Sequence, residues 1–330
     1  MGAAAFMSVS VFAPASIGNV NVGFDVLGLA VKPIDGTLLG DVVTVTHSND
    51  EDSLVVIGDF AKKLPGKVTD NIVWHCLLLF NQQLLEHKQD IAKVKLTLEK
   101  RMPVGSGLGS SACSVVAALA GLNAFYEKYH QFSFEEKLLL KMMGQMEAKI
   151  SGSLHYDNVA PCFLGGMQLM VQDQNVIAHK LPSFDDCYYV MAYPGIEVST
   201  KAARDILPDK YSRAELINFG QNLATFVDAC HRQDKSLAHA VLVDVVAEPY
   251  RAKLLPGYSD AVHYLKENGA LAVGISGSGP TLFCVTDDKA KAIQFAQWLT
   301  ANYLQTLANG KSEGFVHVCQ PDTQGAVSLT

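Results

Sequence analysis

Pro103-Val-Gly-Ser-Gly-Leu-Gly-Ser-Ser-Ala-Cys113 is the stretch that decides how this chain is read. Glycines at the alternate positions 105, 107 and 109 let the backbone turn tightly, with no Cβ atom between its N–H groups and a ligand. Ser110 and Ser111 follow, and then a small, apolar, helix-forming run to Phe125. The loop amides therefore meet the positive end of a helix dipole, an arrangement suited to a phosphate group. A phosphorylated ligand is the expectation.

Outward from the loop, residues 94–98 read as the strand leading in and 110–126 as the helix leaving. Upstream, 8–12 alternates polar and apolar, 41–46 and 54–57 are valine-rich strand candidates, and 71–86 has helical periodicity. Downstream, Ser133-Phe-Glu-Glu136 fits a capping box opening a helix to about Ile150. Polar residues 151–158 interrupt the pattern before another short helix and a strand at 167–171. Residues 172–186 are the expected boundary between two domains, 7–172 and 173–330. Beyond it come strands at 188–193, 271–275, 281–285 and 314–319, several helices between 200 and 268, and a helix at 289–303. Strands and helices mix without regular βαβ alternation, so the predicted fold class is α+β.

Composition narrows the function. The chain has 330 residues, is 49% hydrophobic, and carries a formal charge of −7. With a pI near 5.8 and no basic stripe, a nucleic-acid partner is not expected. No apolar run approaches the ~18 residues of a membrane span, and no charged, apolar and cleavage-site succession opens the chain. A cytoplasmic protein without a membrane partner is expected. Met1 to Phe6 precede a second methionine, Met7, and are set aside as an expression remnant or disordered tail. The seven cysteines lie in apolar contexts without a C-x-x-C pair, which favours buried, reduced thiols over disulfides or zinc.

Three kinds of glycine loop compete. A P-loop needs G-x-x-x-x-G-K-[ST] after a strand; the one Gly-Lys-Ser, at 310–312, has Gln305 where the first glycine belongs. Gly107-Leu-Gly109-Ser-Ser-Ala112 satisfies a dinucleotide fingerprint locally. A second strand ending in an acidic residue should then follow, yet the next periodic segment is a helix with Glu135 and Glu136 at its start. The third kind fits. Pro-x-x-x-Gly-Leu-Gly-Ser-Ser-Ala resembles the signature of the GHMP kinases, Ala13-Pro-Ala-Ser16 resembles their first motif, and Gly274-Ile-Ser-Gly-Ser-Gly-Pro-Thr281 resembles their third. Within the family, Asn19-Val-Asn-Val-Gly-Phe-Asp-Val-Leu-Gly28, Ser151-Gly-Ser-Leu-His-Tyr-Asp-Asn-Val-Ala-Pro161 and Ala247-Glu-Pro-Tyr-Arg251 are similar to the branch whose acceptor is L-homoserine. The resemblance runs from Met7 to nearly the end of the chain.

It implies a two-domain fold, with an N-terminal domain like ribosomal protein S5 domain 2 and a ferredoxin-like C-terminal domain. It also implies ATP and Mg2+ as cofactors, transfer of the γ-phosphate to the homoserine side-chain hydroxyl, and a homodimer. A mevalonate-like or sugar acceptor, or a non-catalytic metabolite binder, are the alternatives. By the resemblance, Pro103, Val104, Gly105, Ser106, Gly107, Leu108, Gly109, Ser110, Ser111, Ala112 and Cys113 form the nucleotide loop, with Asn71 beside the base. Ser111 and Glu147 match the metal pair; their plain readings are a helix N-cap and a solvated helix-end glutamate. Arg204 and Arg251 match the positions that clamp the substrate carboxylate, as guanidinium forks do well. Asp25 matches the ammonium partner, and Asn19 and Asn158 the side chains fixing other polar groups.

Asp157 is assigned to the active site with Asn158 and Glu147. An aspartate in a comparable setting is the base in mevalonate kinase-like relatives. Here His155 and Tyr156 are extra residues in that motif, so base and positioning roles both stay open. His155 itself reads equally as a structural histidine. Lys100 and Arg101 flank the loop, where attraction of phosphate is one reading and a solvated strand end the favoured one.

Overall fold

The strand that feeds the glycine stretch lies inside a five-stranded sheet, and the helix that leaves the stretch is buried against it. The computed structural model describes residues 7–173, 176–304 and 312–329. Residues 1–6 and most of the Gly-Lys-Ser stretch at 310–312 lie outside the described residues.

In the first half the strands are β1 (Ser8–Pro14), β2 (Ser16–Gly18), β3 (Leu27–Pro33), β4 (Gly40–His47), β5 (Ser53–Ile57), β6 (Val94–Glu99), β7 (Met167–Met170) and β8 (Ala178–Leu181). The helices there are α1 (Ile72–Glu86), α2 (Ser110–His130), α3 (Glu136–Ser151) and α4 (Val159–Leu164). The second half holds β9 (Tyr188–Tyr193), α5 (Thr200–Asp205), α6 (Arg213–Arg232), α7 (Lys235–Ala240), α8 (Glu248–Arg251), α9 (Tyr258–Glu267), β10 (Ala272–Ile275), β11 (Leu282–Thr286), α10 (Lys289–Asn302), β12 (Phe315–Pro321) and β13 (Val327–Ser328).

One sheet has the order β13-β1-β4-β6-β5. Its pairs are antiparallel except β5 with β6, where parallel pairing demands a crossover and α1 supplies it. Helix α2 packs on β1 and β4 and is covered in turn by α1 and α3. Being enclosed on all sides explains its alanine-rich sequence: 13 of its 21 residues are buried, and a Cβ on Gly121 would already stand 3.3 Å from Val45. In the other sheet, β12-β9-β11-β10 is wholly antiparallel, with helical segments before β10 and α10 after β11. That is the split βαβ topology of a ferredoxin-like unit. The sheet continues through β12–β3 pairing into β3, β7 and β8, and β13 returns to β1, so each sheet takes strands from both halves. The α+β expectation holds, in the two-domain form.

Two local readings change. β3 is missing from the sequence reading because Leu27, Leu29, Ala30 and Val31 are buried on both faces and show no alternation. The capping box at Ser133 does not form. Phe134 is buried against Phe80 and Phe132, and its amide is held by Asn123 Oδ1 at 2.7 Å, so the chain stays extended and the helix begins at Glu136. A capping box does open α6, between Ser212 and Glu215. All seven cysteines are free and buried, as expected.

Candidate active site

Between β6 and α2 the loop glycines 105, 107 and 109 take φ values of 64°, 77° and 68°. Gly107 has a second reason to lack a side chain: its Cβ would stand 2.5 Å from Ser276 O and 2.6 Å from Gly279 O. The glycine-rich turn after β10 thus presses directly on the loop. It is bonded there by Ser276 Oγ to Gly107 O (2.7 Å) and Thr281 Oγ1 to Ser106 O (2.7 Å). Helix α2 then starts from Gly109 in the left-handed region, with no side-chain cap. Its first amides carry the positive end of the helix dipole, an arrangement that suits an anion.

These amides border a cleft of about 400 Å3. Val104, Gly105, Ser106, Gly107, Gly109, Ser110 and Ser111 line it, and so do Asn19, Asp25, Asn71, Glu147, Asp157, Asn158, Arg204 and Arg251. Pro103, Leu108, Ala112 and Cys113 belong to the same loop but are buried and take no part in the wall. Asn71 caps α1 through Oδ1 to Val73 N (2.9 Å), and its buried Nδ2 has no partner among the described residues.

Ser111 Oγ donates to Glu147 Oε1 at 2.8 Å, joining the start of α2 to α3. Glu147 is 6% exposed, not the solvated helix-end residue of the plain reading, and its Oε2 is buried without a partner among the described residues. Burial raises this carboxyl above its ordinary range, and the Ser111 bond offsets only part of that. A hydroxyl, a carboxylate and an unmet oxygen at the cleft wall are donors of the kind a hard divalent cation takes.

Lys100 departs furthest from expectation. It is 1% exposed, and Nζ donates to Asp41 Oδ2 (2.6 Å), Ser110 O (2.8 Å) and Ser114 Oγ (3.0 Å). Asp41 also receives Arg101 N, Met102 N and Ser114 Oγ. A buried ion pair thus fastens the start of α2 to β4 and to the end of β6. Arg101 stays partly exposed and bonds Glu99.

In the same cleft, Arg204 grips Asp25 with both terminal nitrogens, at 2.9 and 3.0 Å. The bond to Asp25 raises the guanidinium's affinity for its proton, and Nε has no partner among the described residues. Arg251 is 3% exposed and donates to Ala203 O (3.0 Å) and Gly277 O (2.8 Å). The Phe24 ring lies 5.7 and 5.4 Å from these two guanidinium carbons, a contact the sequence reading missed although Phe24 adjoins Asp25. Asn19 Oδ1 receives Asp25 N (3.0 Å).

Asp157 is 3% exposed, and both its oxygens are engaged: Oδ1 with His155 Nδ1 (3.0 Å) and Oδ2 with Asn158 Nδ2 (3.3 Å). Ser16, the last residue of the Ala13-Pro-Ala-Ser16 motif, donates to Asn158 Oδ1 at 2.9 Å. His155 Nε2 is buried without a partner among the described residues. Burial alone would lower the His155 pKa; the bond to Asp157 and the charges of Asp157, Glu147 and Asp25 outweigh it, and the imidazole titrates above its ordinary value.

Comparison with known proteins agrees with this architecture. The model of the GHMP kinases N-terminal domain matches residues 71–166, and that of the GHMP kinases C-terminal domain matches 226–304. A crystal structure of homoserine kinase from Cytophaga hutchinsonii is similar over 100% of this chain and 99% of its own, with 31% identity and a TM-score of 0.87. A mevalonate kinase structure is similar at 10% identity over 96% of this chain and 99% of its own, with a TM-score of 0.68. A D-glycero-D-manno-heptose 1-phosphate kinase from Bacteriodes thetaiotaomicron is similar at 16% identity over 98% of this chain and 99% of its own, with a TM-score of 0.62. Those last two speak for the fold alone. With both family models placed in order and a full-length relative above 30% identity, the chain belongs to the GHMP kinase family.

Proposed function

We propose that the chain is an ATP-dependent homoserine kinase, transferring the γ-phosphoryl group to the side-chain hydroxyl of L-homoserine to give O-phospho-L-homoserine. One observation carries this reading: a single cleft is lined by an uncapped helix start together with two arginines and an aspartate. The full-length likeness to a homoserine kinase at 31% identity supports it.

Phosphoryl transfer is largely positioning and charge stabilisation. The loop amides of residues 104–111 hold the phosphates, and Asn71 Nδ2 offers a donor to the base. Mg2+ held by Ser111 and Glu147 would neutralise charge on the phosphates as it builds. An amino acid is a zwitterion, and Asp25 with Arg204 is an ion pair of complementary polarity: Asp25 receives the ammonium while Arg204 and Arg251 face the carboxylate. Asp157, with both oxygens engaged, orients its neighbours, and His155, whose Nε2 is unmet, receives the hydroxyl proton.

The decisive test is ADP release with ATP and magnesium over a panel of homoserine, mevalonate, galactose and serine. Release with homoserine alone is expected. Release with mevalonate or galactose instead would overturn the acceptor, and release with none would point to a metabolite binder. Arg251→Leu should raise the homoserine KM roughly ten- to a hundredfold, the worth of one charge-assisted bond, with kcat less affected. An unchanged KM would place that arginine outside the clamp.

His155 gives a pH signature. It accepts a proton only when neutral, and its pKa lies above the ordinary value of 6.5. Activity should therefore climb as pH rises through that raised value and then level off. At saturating Mg2+ the limb should vanish in His155→Asn while a lower, flat activity remains. Persistence of the same limb in the variant would assign it to another group.

A further inference from the structure

Asn19, Val20 and Asn21 form a short run of left-handed backbone, with φ values of 69°, 46° and 55°. Asparagine visits this region readily; a β-branched valine is an outlier there and persists only where its surroundings impose it. Val20 is fully buried, and the asparagines on either side tie the run down. Asn21, 2% exposed, donates through Nδ2 to Leu242 O (3.1 Å) and Val273 O (3.0 Å), both in the C-terminal half. Its carboxamide lies against Gly274 so closely that a Cβ there would fall 1.7 Å from Asn21 Oδ1. Asn19 Nδ2 donates to Gly277 O (3.3 Å), and Gly277 N donates to Gly18 O (3.1 Å). The other arm of Asn19, Oδ1, holds the backbone amide of Asp25.

We propose that Asn21 is a positioning residue for the acceptor end of the cleft: its buried carboxamide pins the left-handed run to Leu242 and Val273 and so sets Asn19 and Asp25 opposite Arg204 and Arg251. Asn21 lines no part of the cleft and acts only through its neighbours. The inference rests on the reading of that end as the amino-acid site. Gly274 is the matching half of the device, since any side chain there would displace the carboxamide.

The test uses Asn21→Gly in the full chain. Glycine keeps the left-handed conformation available and removes the carboxamide with its methylene; because glycine also loosens the backbone, a variant that keeps the side-chain volume is needed beside it. Two readouts are taken, amide hydrogen exchange over residues 18–25 and steady-state kinetics beside the affinity for a non-hydrolysable ATP analogue. Exchange over 18–25 should rise roughly tenfold, and the homoserine KM should rise by about the same factor, as loss of a buried hydrogen bond implies. Analogue affinity should stay within about twofold, because the phosphate loop keeps its own bonds to Ser276 and Thr281. Unchanged exchange would overturn the proposal, and so would a loss of analogue affinity equal to the rise in KM, which marks a general packing role. Asn21→Asp is the second variant. It keeps the volume but turns an oxygen toward both carbonyls, and it should move the same readouts in the same direction. If the unaltered protein has no activity on homoserine, the acceptor reading fails by itself; exchange over 18–25 still decides whether Asn21 pins the run, for or against.

Discussion

Glu147→Gln is expected to lower kcat by roughly a hundred- to a thousandfold, the several kcal/mol that a metal-borne charge supplies to a transferring phosphoryl group. Glutamine keeps the size of the side chain and can still accept the 2.8 Å bond from Ser111, so the fold should survive and the effect should report charge. Homoserine binding should move far less, because the proposed acceptor clamp draws on Asp25, Arg204 and Arg251. The same substitution gives a second readout, direct Mg2+ binding in the presence of the ATP analogue. With no metal, burial keeps the Glu147 carboxyl above its ordinary range. Metal binding then has to displace a proton, and Mg2+ affinity of the unaltered protein should weaken as pH falls through that raised value. In Glu147→Gln both the affinity and this pH dependence should be reduced. Equal losses in turnover and homoserine binding would contradict the metal role, as would an Mg2+ affinity indifferent to the substitution.

The glycine loop was legible in the sequence because its information is local. Glycines at 105, 107 and 109, the serines after them and the apolar helix lie within one short segment, and each glycine meets a backbone demand that no other residue meets as well. The positions Asp25 and Arg204 were singled out only through resemblance. Asp25 and Arg204 stand 179 residues apart, and no spacing rule joins them. Lys100 was misread for the same reason. A lysine at a strand end reads as solvated until Asp41, 59 residues away, is placed beside it. Local capping patterns were decided by packing rather than by their own logic. Ser133 has the right partners, but Phe134 is drawn into the core and the helix starts late; Ser212, on an exposed helix start, forms its box unopposed. Strand β3 carried no periodic signal at all, since both its faces are buried.

That misread lysine carries the largest expected stability effect. Lys100→Met removes the charge while nearly keeping the length, and it leaves the Asp41 carboxylate, 0% exposed, without its counter-ion. Breaking one partner of a buried pair costs about 3–5 kcal/mol, much of it the price of stranding the other charge. The amides of Arg101 and Met102 and the Ser114 hydroxyl still donate to Asp41, which argues for the lower end of that range. Denaturant unfolding should therefore show a midpoint well below that of the unaltered chain with little change in slope. The double variant Lys100→Met with Asp41→Asn should recover part of the loss, since no charge is then left buried, and this separates stranded charge from lost packing. Nucleotide-analogue affinity should fall as well and should not recover in the double variant, because the Lys100 bond to Ser110 O at the start of α2 is absent from both. A loss under about 1 kcal/mol in the single variant would mean that the three remaining donors satisfy Asp41 alone, leaving the ion pair no part in holding the loop.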